Sequence, residues 1–261
     1  RTLAEMFKVL GHFTPKNWDL NTPEGAGTLA ETIRRASLDR RDRPYDPNFY
    51  PQVDQRQMLS ENYSQLVARQ IRVRMKAKSP PGETTHLSVM DAQGGAVALT
   101  QSIERVYGSC VMSPSLGFLY NNYLRDFEYK DITHPYYLRP NAAPWASVAP
   151  TIAFRGRKTW LAIGSPGSER IAPAILQVIL RLKHMGPMEA VTAPRLFCSH
   201  DGVVHLEASR MRNDIPEFLR KRGFQVVERE PFSFYLGCVQ LVMRARDGMI
   251  GVADPRRDGS A

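Results

Sequence analysis

Apolar residues change their spacing once along this chain, close to residue 84. Before that point they recur at helical intervals opposite charged residues, in two sets: Leu29, Ile33 and Ala36, then Leu66, Val67, Ile71 and Met75. In the segment THLSVMDAQGGAVALTQSI, residues 85–103, apolar and polar residues alternate around an Asp-Ala-Gln-Gly-Gly turn, which predicts a β-hairpin. We therefore expect a helical, peripheral segment over residues 1–79 and a sheet-rich region after it.

The later pattern predicts strands and helices in separate blocks. TIAF and TWLAIG flank the basic turn RGRK as two strands. A helix should follow, with an apolar face formed by Ile171, Ile175, Val178, Ile179 and Leu182. Pro173 suits its first turn and Gly186 can end it. MEAVTAPRLF and IPEFLRKRG are typical of short helices, and YLGCVQLVMRA and MIGVADP of the last two strands. The prolines of RPYDPNFYPQ exclude a helix there. Such blocks favour an α+β fold, with layers of helices on packed sheets.

Composition narrows the class of protein. With 261 residues, 43% hydrophobic and 23% charged, the chain should fold as one large domain or two small ones. Its net charge of +9 is spread over separate stretches without a zinc-finger or RNA-recognition motif, so we expect no nucleic-acid partner. The longest apolar run, residues 171–180, is shorter than the roughly 20 residues of a membrane span, so we expect no span. Because the chain starts at Arg1 without a leader-like sequence, we expect it to be part of something longer.

Cysteine usage predicts no special chemistry. Cys110, Cys198 and Cys238 are odd in number, far apart and outside any CxxC pair. We therefore expect no disulfide framework and no metal site, and we expect all three to be small core residues. The sequence predicts no organic cofactor either.

Five segments, in chain order, carry a resemblance to a known family. They are TTHLSVMDAQGGAVALTQSI, GFLYNNYLRDF, PTIAF, GSPGSERI and GVADPRRDG. Together they resemble the carboxyl-terminal half of the gamma-glutamyltransferase (glutathione hydrolase) family of N-terminal-nucleophile hydrolases. The resemblance implies an α+β fold of four layers, the αββα sandwich of those hydrolases. It also implies two regions: residues 1–83, the helical end of the large subunit, and residues 84–261, the small-subunit catalytic region.

Thr84 holds the position of the family nucleophile, followed by Thr85 and His86 of the motif. Alone, Thr-Thr-His is ordinary strand sequence. A threonine hydroxyl needs a base within hydrogen-bond reach, and an N-terminal threonine carries one in its own α-amine, with a pKa of about 7.7 to 8.0. The family implies autocleavage between Glu83 and Thr84: the hydroxyl attacks the preceding carbonyl, an ester forms by N-to-O shift, and water releases it.

Four further positions match catalytic features of the family. Ser102 stands where the family has a hydroxyl that bonds the nucleophile, and Thr100 matches a second threonine of that strand. Gly167 and Ser168 occupy the paired glycines whose N–H groups would hold an oxyanion at a helix start. Each hydroxyl could instead be a satisfied strand residue, and the glycine turn could lack a ligand.

The substrate-binding positions match less well. Asp126, which in the family pairs with the α-ammonium of the substrate, is present. Glu104 stands in place of an asparagine, and Tyr123 in place of a glutamate or glutamine. Ala146 and Ser147 stand where two adjacent serines would hold an α-carboxylate. The arginine that neutralises that carboxylate belongs to the large subunit, outside this chain.

The resemblance thus predicts an autoprocessing N-terminal-threonine amide hydrolase or acyltransferase. It would cleave γ-glutamyl amides such as glutathione through an acyl-Thr84 intermediate and pass the acyl group to water or an amine. Two alternatives stay open: an acylase for a non-glutamyl side-chain amide, as in cephalosporin acylases, and a catalytically silent scaffold. The expected partners are a small-molecule amide and the missing N-terminal large-subunit portion. The compartment stays open, with a periplasmic or secreted location in keeping with the family.

Overall fold

The computed structural model describes residues 1–14, 19–42, 46, 48–50, 56–71 and 83–261. These residues form six α-helices and nine β-strands. The helices are α1 (Thr2–Leu10), α2 (Pro23–Asp42), α3 (Glu61–Gln70), α4 (Ile171–Arg181), α5 (Pro187–Thr192) and α6 (Asp214–Lys221). The strands are β1 (Glu83–Met90), β2 (Ala96–Glu104), β3 (Thr151–Arg155), β4 (Lys158–Gly164), β5 (Leu196–Cys198), β6 (Val203–Leu206), β7 (Gln225–Glu228), β8 (Gln240–Ala245) and β9 (Gly248–Val252).

The strands form three sheets, two of which lie face to face. The antiparallel hairpin β1-β2 stacks on an antiparallel sheet of order β3-β4-β8-β9. On the far side of that sheet, Leu161 and Ile163 of β4 pack in one core with α4 and α5. The outward side chains of the hairpin are 47% to 53% exposed, namely Leu87, Val89, Val97 and Leu99. The strand that carries Thr84 therefore lies in the outer of two sheet layers, and the helical layer packs on the far side of the inner sheet.

A second core joins the amino-terminal helices to the rest of the molecule. Leu29 and Ile33 of α2 are fully buried in one cluster with Ile215 and Leu219 of α6 and Phe197 of β5. The prediction that this segment is peripheral was therefore wrong, because its apolar face covers the sheet β5-β6-β7. Most of RPYDPNFYPQ lies outside the described residues.

The prediction for α3 was right in part. Val67 and Ile71 are buried in a small cluster with Val9 of α1, as expected. Leu66 is 48% exposed, so it does not belong to that face. Met75 lies outside the described residues.

Several predicted elements are confirmed, two boundaries are wrong, and one predicted helix is helical only in part. The hairpin, β3, β4, α6, β8 and β9 lie where the pattern placed them, although β8 begins only at Gln240. α4 ends at Arg181 rather than at Gly186, which is extended and precedes Pro187 at the start of α5. MEAVTAPRLF is not one helix, because Ala193, which precedes Pro194, is extended (φ −53°, ψ 148°) and the chain then enters β5.

Two cysteines follow the prediction and one does not. Cys198 and Cys238 are buried, whereas Cys110 is exposed. Cys110 lies between β2 and β3, in a long segment with little regular structure, and has a positive φ of 59°.

Four buried charged residues tie the carboxyl-terminal segment to the rest of the fold. Arg195 Nη2 lies 2.6 Å from Asp254 Oδ2, and Arg256 Nη2 lies 2.7 Å from Glu207 Oε2. Arg256 Nη1 also donates to Asp254 Oδ1 at 3.0 Å. All four side chains are fully buried. This buried charge cluster holds residues 254–256 in place, immediately before Arg257.

Candidate active site

Thr84 and Ser102 face each other across the hairpin. Thr84 pairs with Ser102 in the register of β1 and β2, and Thr84 Oγ1 donates to Ser102 Oγ at 3.0 Å. The Thr84 side chain is half-buried. The structure thus places side by side the two hydroxyls expected to form the nucleophile and its partner.

The strand pairing shifts at the predicted cleavage position. Glu83 pairs with Glu104 and Thr84 with Ser102, so Ile103 is an extra residue opposite the Glu83–Thr84 bond. Glu104, which follows, has a positive φ of 70°, a conformation that costs a non-glycine residue free energy. Bulges of this kind are frequent beside active sites.

His86 is a buried, neutral residue with both ring nitrogens engaged. Nδ1 lies 2.7 Å from Thr100 Oγ1, and Nε2 lies 2.9 Å from Ser88 Oγ. Burial lowers the pKa of His86 from 6.5 to about 4. The ring packs against Gly164, where an added Cβ would lie 2.1 Å from His86 Cε1. His86 and Thr100 therefore support the hairpin, and His86 is not placed as a base for Thr84.

Gly167 and Ser168 form the turn between β4 and α4. Gly167 has φ 129° and ψ 20°, and it caps the short 3-10 helix Ser168–Arg170 that leads into α4. Ser168 has φ 52°, which is unusual for a serine. Ser165 Oγ accepts from the N–H of Cys238 at 3.0 Å and fixes the turn against the chain before β8. Backbone N–H groups at such a helix start suit a developing oxyanion.

A cleft of about 730 Å³ lies beside Thr84. Its lining includes Thr84, Pro166 of the glycine turn and the carboxyl-terminal residues 256–261. Arg257 Nη1 donates to the carbonyl oxygen of Thr84 at 3.4 Å, and its guanidinium lies 3.6 Å from the centre of the Phe234 ring. No sequence pattern singled out Arg257, although the block GVADPRRDG contains it.

Glu104, Tyr123 and Asp126 lie together next to Ser102. The Glu104 N–H donates to Ser102 Oγ at 3.0 Å, and the Tyr123 hydroxyl hydrogen-bonds Ser102. The carboxyl groups of Glu104 and Asp126 lie close enough for each to affect the pKa of the other. Burial, followed by the charge of Asp126, raises the pKa of Glu104, and burial also raises the pKa of Asp126. The structure thus brings three of the five predicted substrate-binding residues to the nucleophile.

Ala146 and Ser147 line a different cleft. This second cleft, of about 580 Å³, is also lined by Arg1, Arg40 and Ala172. It shares no lining residue with the cleft beside Thr84. Arg40 of this second cleft interacts electrostatically with Glu104, so the cleft lies near the group of side chains beside Ser102.

Neither a metal-ligand cluster nor a membrane-spanning helix is found among the described residues. No group of three or more His, Cys, Asp or Glu side chains in this part of the chain is arranged to hold a metal ion. In the same ranges, every helix is too short or too polar to cross a bilayer.

Comparison with known proteins agrees with the geometry. The family described as "Gamma-glutamyltranspeptidase" matches residues 1–261. "Glutathione hydrolase proenzyme" of Escherichia coli is 29% identical over 280 residues, covering 97% of this chain and 47% of the relative. "Acylase ACY 1 proenzyme" of a Pseudomonas species is 30% identical over 271 residues, covering 99% of this chain and 47% of the relative. The chain thus spans about half the length of the curated relatives it matches.

The fold has a solved counterpart. The crystal structure of cephalosporin acylase from Bacillus halodurans superposes with a TM-score of 0.86 at 22% identity, over 99% of this chain and 48% of that chain. The α+β sandwich fold expected from the sequence is confirmed. Since the family match also extends from the first residue to the last, this chain belongs to the gamma-glutamyltranspeptidase family.

Proposed function

We propose that this chain carries the catalytic centre of an autoprocessing amide hydrolase or acyltransferase, with Thr84 as its N-terminal nucleophile and γ-glutamyl amides such as glutathione as substrates. One observation carries the proposal: Thr84 Oγ1 lies 3.0 Å from Ser102 Oγ, on the edge of a cleft, at the nucleophile position of the family motif. The bulge opposite the Glu83–Thr84 bond supports it, since it interrupts regular pairing where the chain would be cut.

Maturation would use the hydroxyl of Thr84 on its own chain. Thr84 Oγ attacks the carbonyl carbon of Glu83, and the peptide nitrogen becomes the leaving amine of an N-to-O acyl shift. Water then hydrolyses the ester and leaves a Glu83 carboxylate and a free Thr84 α-amine. Residues 1–83 would then be the end of a large subunit and residues 84–261 the small subunit.

Turnover would use the new amine as the base. The α-amine accepts the Thr84 hydroxyl proton while Oγ attacks the substrate carbonyl, and backbone N–H groups at Gly167 and Ser168 stabilise the oxyanion. The amine returns the proton to the leaving group, and water or an acceptor amine releases the acyl group from Thr84. Because His86 is neutral and doubly hydrogen-bonded, it does not compete for this role.

The test is cleavage of the full-length protein. Intact-mass analysis should show a break between Glu83 and Thr84, and purified protein should release p-nitroaniline from γ-glutamyl-p-nitroanilide. Thr84→Ala should remain one chain and be inactive, whereas Thr84→Ser should still mature. An uncut wild-type protein without amidase activity would identify a silent scaffold and refute the proposal.

A side-chain acylase is the second candidate. It is favoured by Tyr123, which stands beside Ser102 in place of a glutamate or glutamine and so removes one carboxylate or amide acceptor for an α-ammonium. An acylase of this kind should hydrolyse a glutaryl amide at least as well as a γ-glutamyl amide, since a glutaryl group has no ammonium for Asp126. Comparing the two anilides separates the candidates.

A further inference from the structure

Glu104 is fixed relative to the nucleophile by its own backbone. Its N–H donates to Ser102 Oγ, the atom that accepts from Thr84 Oγ1. The strand end is tied in turn to the segment carrying Asp126, because the Arg105 N–H donates to Asn122 Oδ1 at 3.1 Å. Asp126 ends the short 3-10 helix that follows Asn122. The two carboxyl groups therefore stand on firmly connected backbone beside Ser102.

The neighbouring carboxyl groups of Glu104 and Asp126 repel each other when both are ionised. Burial, followed by this repulsion, raises the pKa of Glu104, so two negative charges side by side are disfavoured here. Asp126 Oδ2 is buried and has no hydrogen-bond partner among the described residues. An ammonium group offers three N–H donors and a positive charge, so it would offset the repulsion and satisfy both carboxyl groups.

The negative charge of Glu104 attracts an ammonium group but repels a carboxylate. In a γ-glutamyl group the carboxylate sits on the carbon that bears the ammonium, so it must come close to Glu104. Repulsion by Glu104 opposes the attraction of any cation that holds this carboxylate. Arg105 and Arg40 both lower the pKa of Glu104, and they moderate the repulsion without removing the carboxyl group.

We propose that Glu104 is a specificity residue that makes a terminal ammonium the dominant recognition element of the acyl group and makes the α-carboxylate dispensable. This inference rests on the proposed function, since it concerns the acyl group transferred to Thr84. The substrate class is therefore amides of ω-amino acyl groups, with γ-glutamyl amides as carboxylated members.

Four p-nitroanilides of similar acyl length test the inference on the full-length protein. They are the γ-glutamyl, 4-aminobutanoyl, glutaryl and butanoyl compounds, which present both charges, the ammonium alone, the carboxylate alone and neither. We expect kcat/KM for 4-aminobutanoyl to equal or exceed that for γ-glutamyl, and glutaryl to be at least 100-fold lower. A kcat/KM for glutaryl within 100-fold of that for 4-aminobutanoyl, or a higher kcat/KM for γ-glutamyl than for 4-aminobutanoyl, would overturn the inference.

Glu104→Gln keeps the shape and removes the charge. We expect it to shift the ratio of 4-aminobutanoyl to γ-glutamyl kcat/KM at least tenfold toward γ-glutamyl. Glu217→Gln, the same change on the exposed face of α6, should leave the ratio unaltered. An unchanged ratio in correctly cleaved Glu104→Gln protein contradicts the assignment. A preference for γ-glutamyl that Arg40→Gln abolishes and Glu104→Gln leaves unchanged also contradicts it, because Arg40 would then determine the specificity. These outcomes leave Thr84 catalysis intact, whereas absence of any amidase activity refutes the proposed function itself.

Discussion

Replacing Ser102 with alanine tests whether the hydroxyl pair across the hairpin orients the nucleophile. The substitution removes the acceptor of the Thr84 hydroxyl and leaves the half-buried Glu104 N–H without its side-chain acceptor. A neutral hydrogen bond contributes about 0.5 to 1.5 kcal/mol net, and an orphaned donor costs about 1 kcal/mol more when partly buried. If about 1 to 2 kcal/mol of this is lost in the transition state, the rate falls roughly 5- to 30-fold.

The assay measures two rates in the full-length protein. The rate of cleavage before Thr84, followed by intact mass, and kcat on γ-glutamyl-p-nitroanilide should both fall by that factor, with little change in KM. Ser102→Thr keeps a hydroxyl and should recover most of both rates. Ser109→Ala, in the exposed segment after β2, is the matched control. Wild-type cleavage and kcat in Ser102→Ala would show that the contact does not orient Thr84.

Three further predictions concern the support of this site. Gly164→Ala should lower the free energy of unfolding by about 1 to 3 kcal/mol because its Cβ would overlap the His86 ring, whereas Gly186→Ala, with nothing within 4 Å, should leave it unchanged in a thermal melt. His86 has its pKa lowered to about 4 from 6.5, so its contribution to stability is complete above pH 6.5 and is lost as pH falls toward 4, by up to about 3 kcal/mol. In His86→Gln the urea midpoint should fall less between pH 6.5 and about 4 than it does in the wild type. Equal falls in the two proteins would contradict this. Ser168→Gly should keep amidase activity and raise stability by up to about 1 kcal/mol, since glycine accepts φ 52° without strain; a lower melting temperature would refute that reasoning.

The hairpin and its register follow from the sequence, whereas the third sheet does not. A five-residue turn over 91–95 pairs Met90 with Ala96, and counting back from there pairs His86 with Thr100 and Thr84 with Ser102. The strands β5, β6 and β7 have three or four residues each, too few for an alternating pattern, and β5 is buried on both faces. Their apolar residues therefore resemble helix positions, which explains the wrong assignment of MEAVTAPRLF.

The candidate active site, too, could be predicted only in part from the sequence. Local pairing was enough to place Ser102 beside Thr84, but the contact between Arg257 and the Thr84 carbonyl joins residues 173 apart in sequence. No periodicity predicts such a contact, which depends on how the carboxyl-terminal segment returns to β1. Ala146 and Ser147 were assigned by motif position alone, and the described fold puts them on another cleft.

The buried charge cluster of Arg195, Glu207, Asp254 and Arg256 constrains how this protein can vary. Changing any one member strands an opposite charge in the interior, at a cost of about 3 to 5 kcal/mol, whereas exchanging the set for apolar residues of similar volume can be nearly neutral. A sequence in which only one of the four residues has been replaced should therefore fold poorly. Descendants of this chain should therefore inherit the four residues together or replace them together, and the segment leading to Arg257 should be slow to diverge.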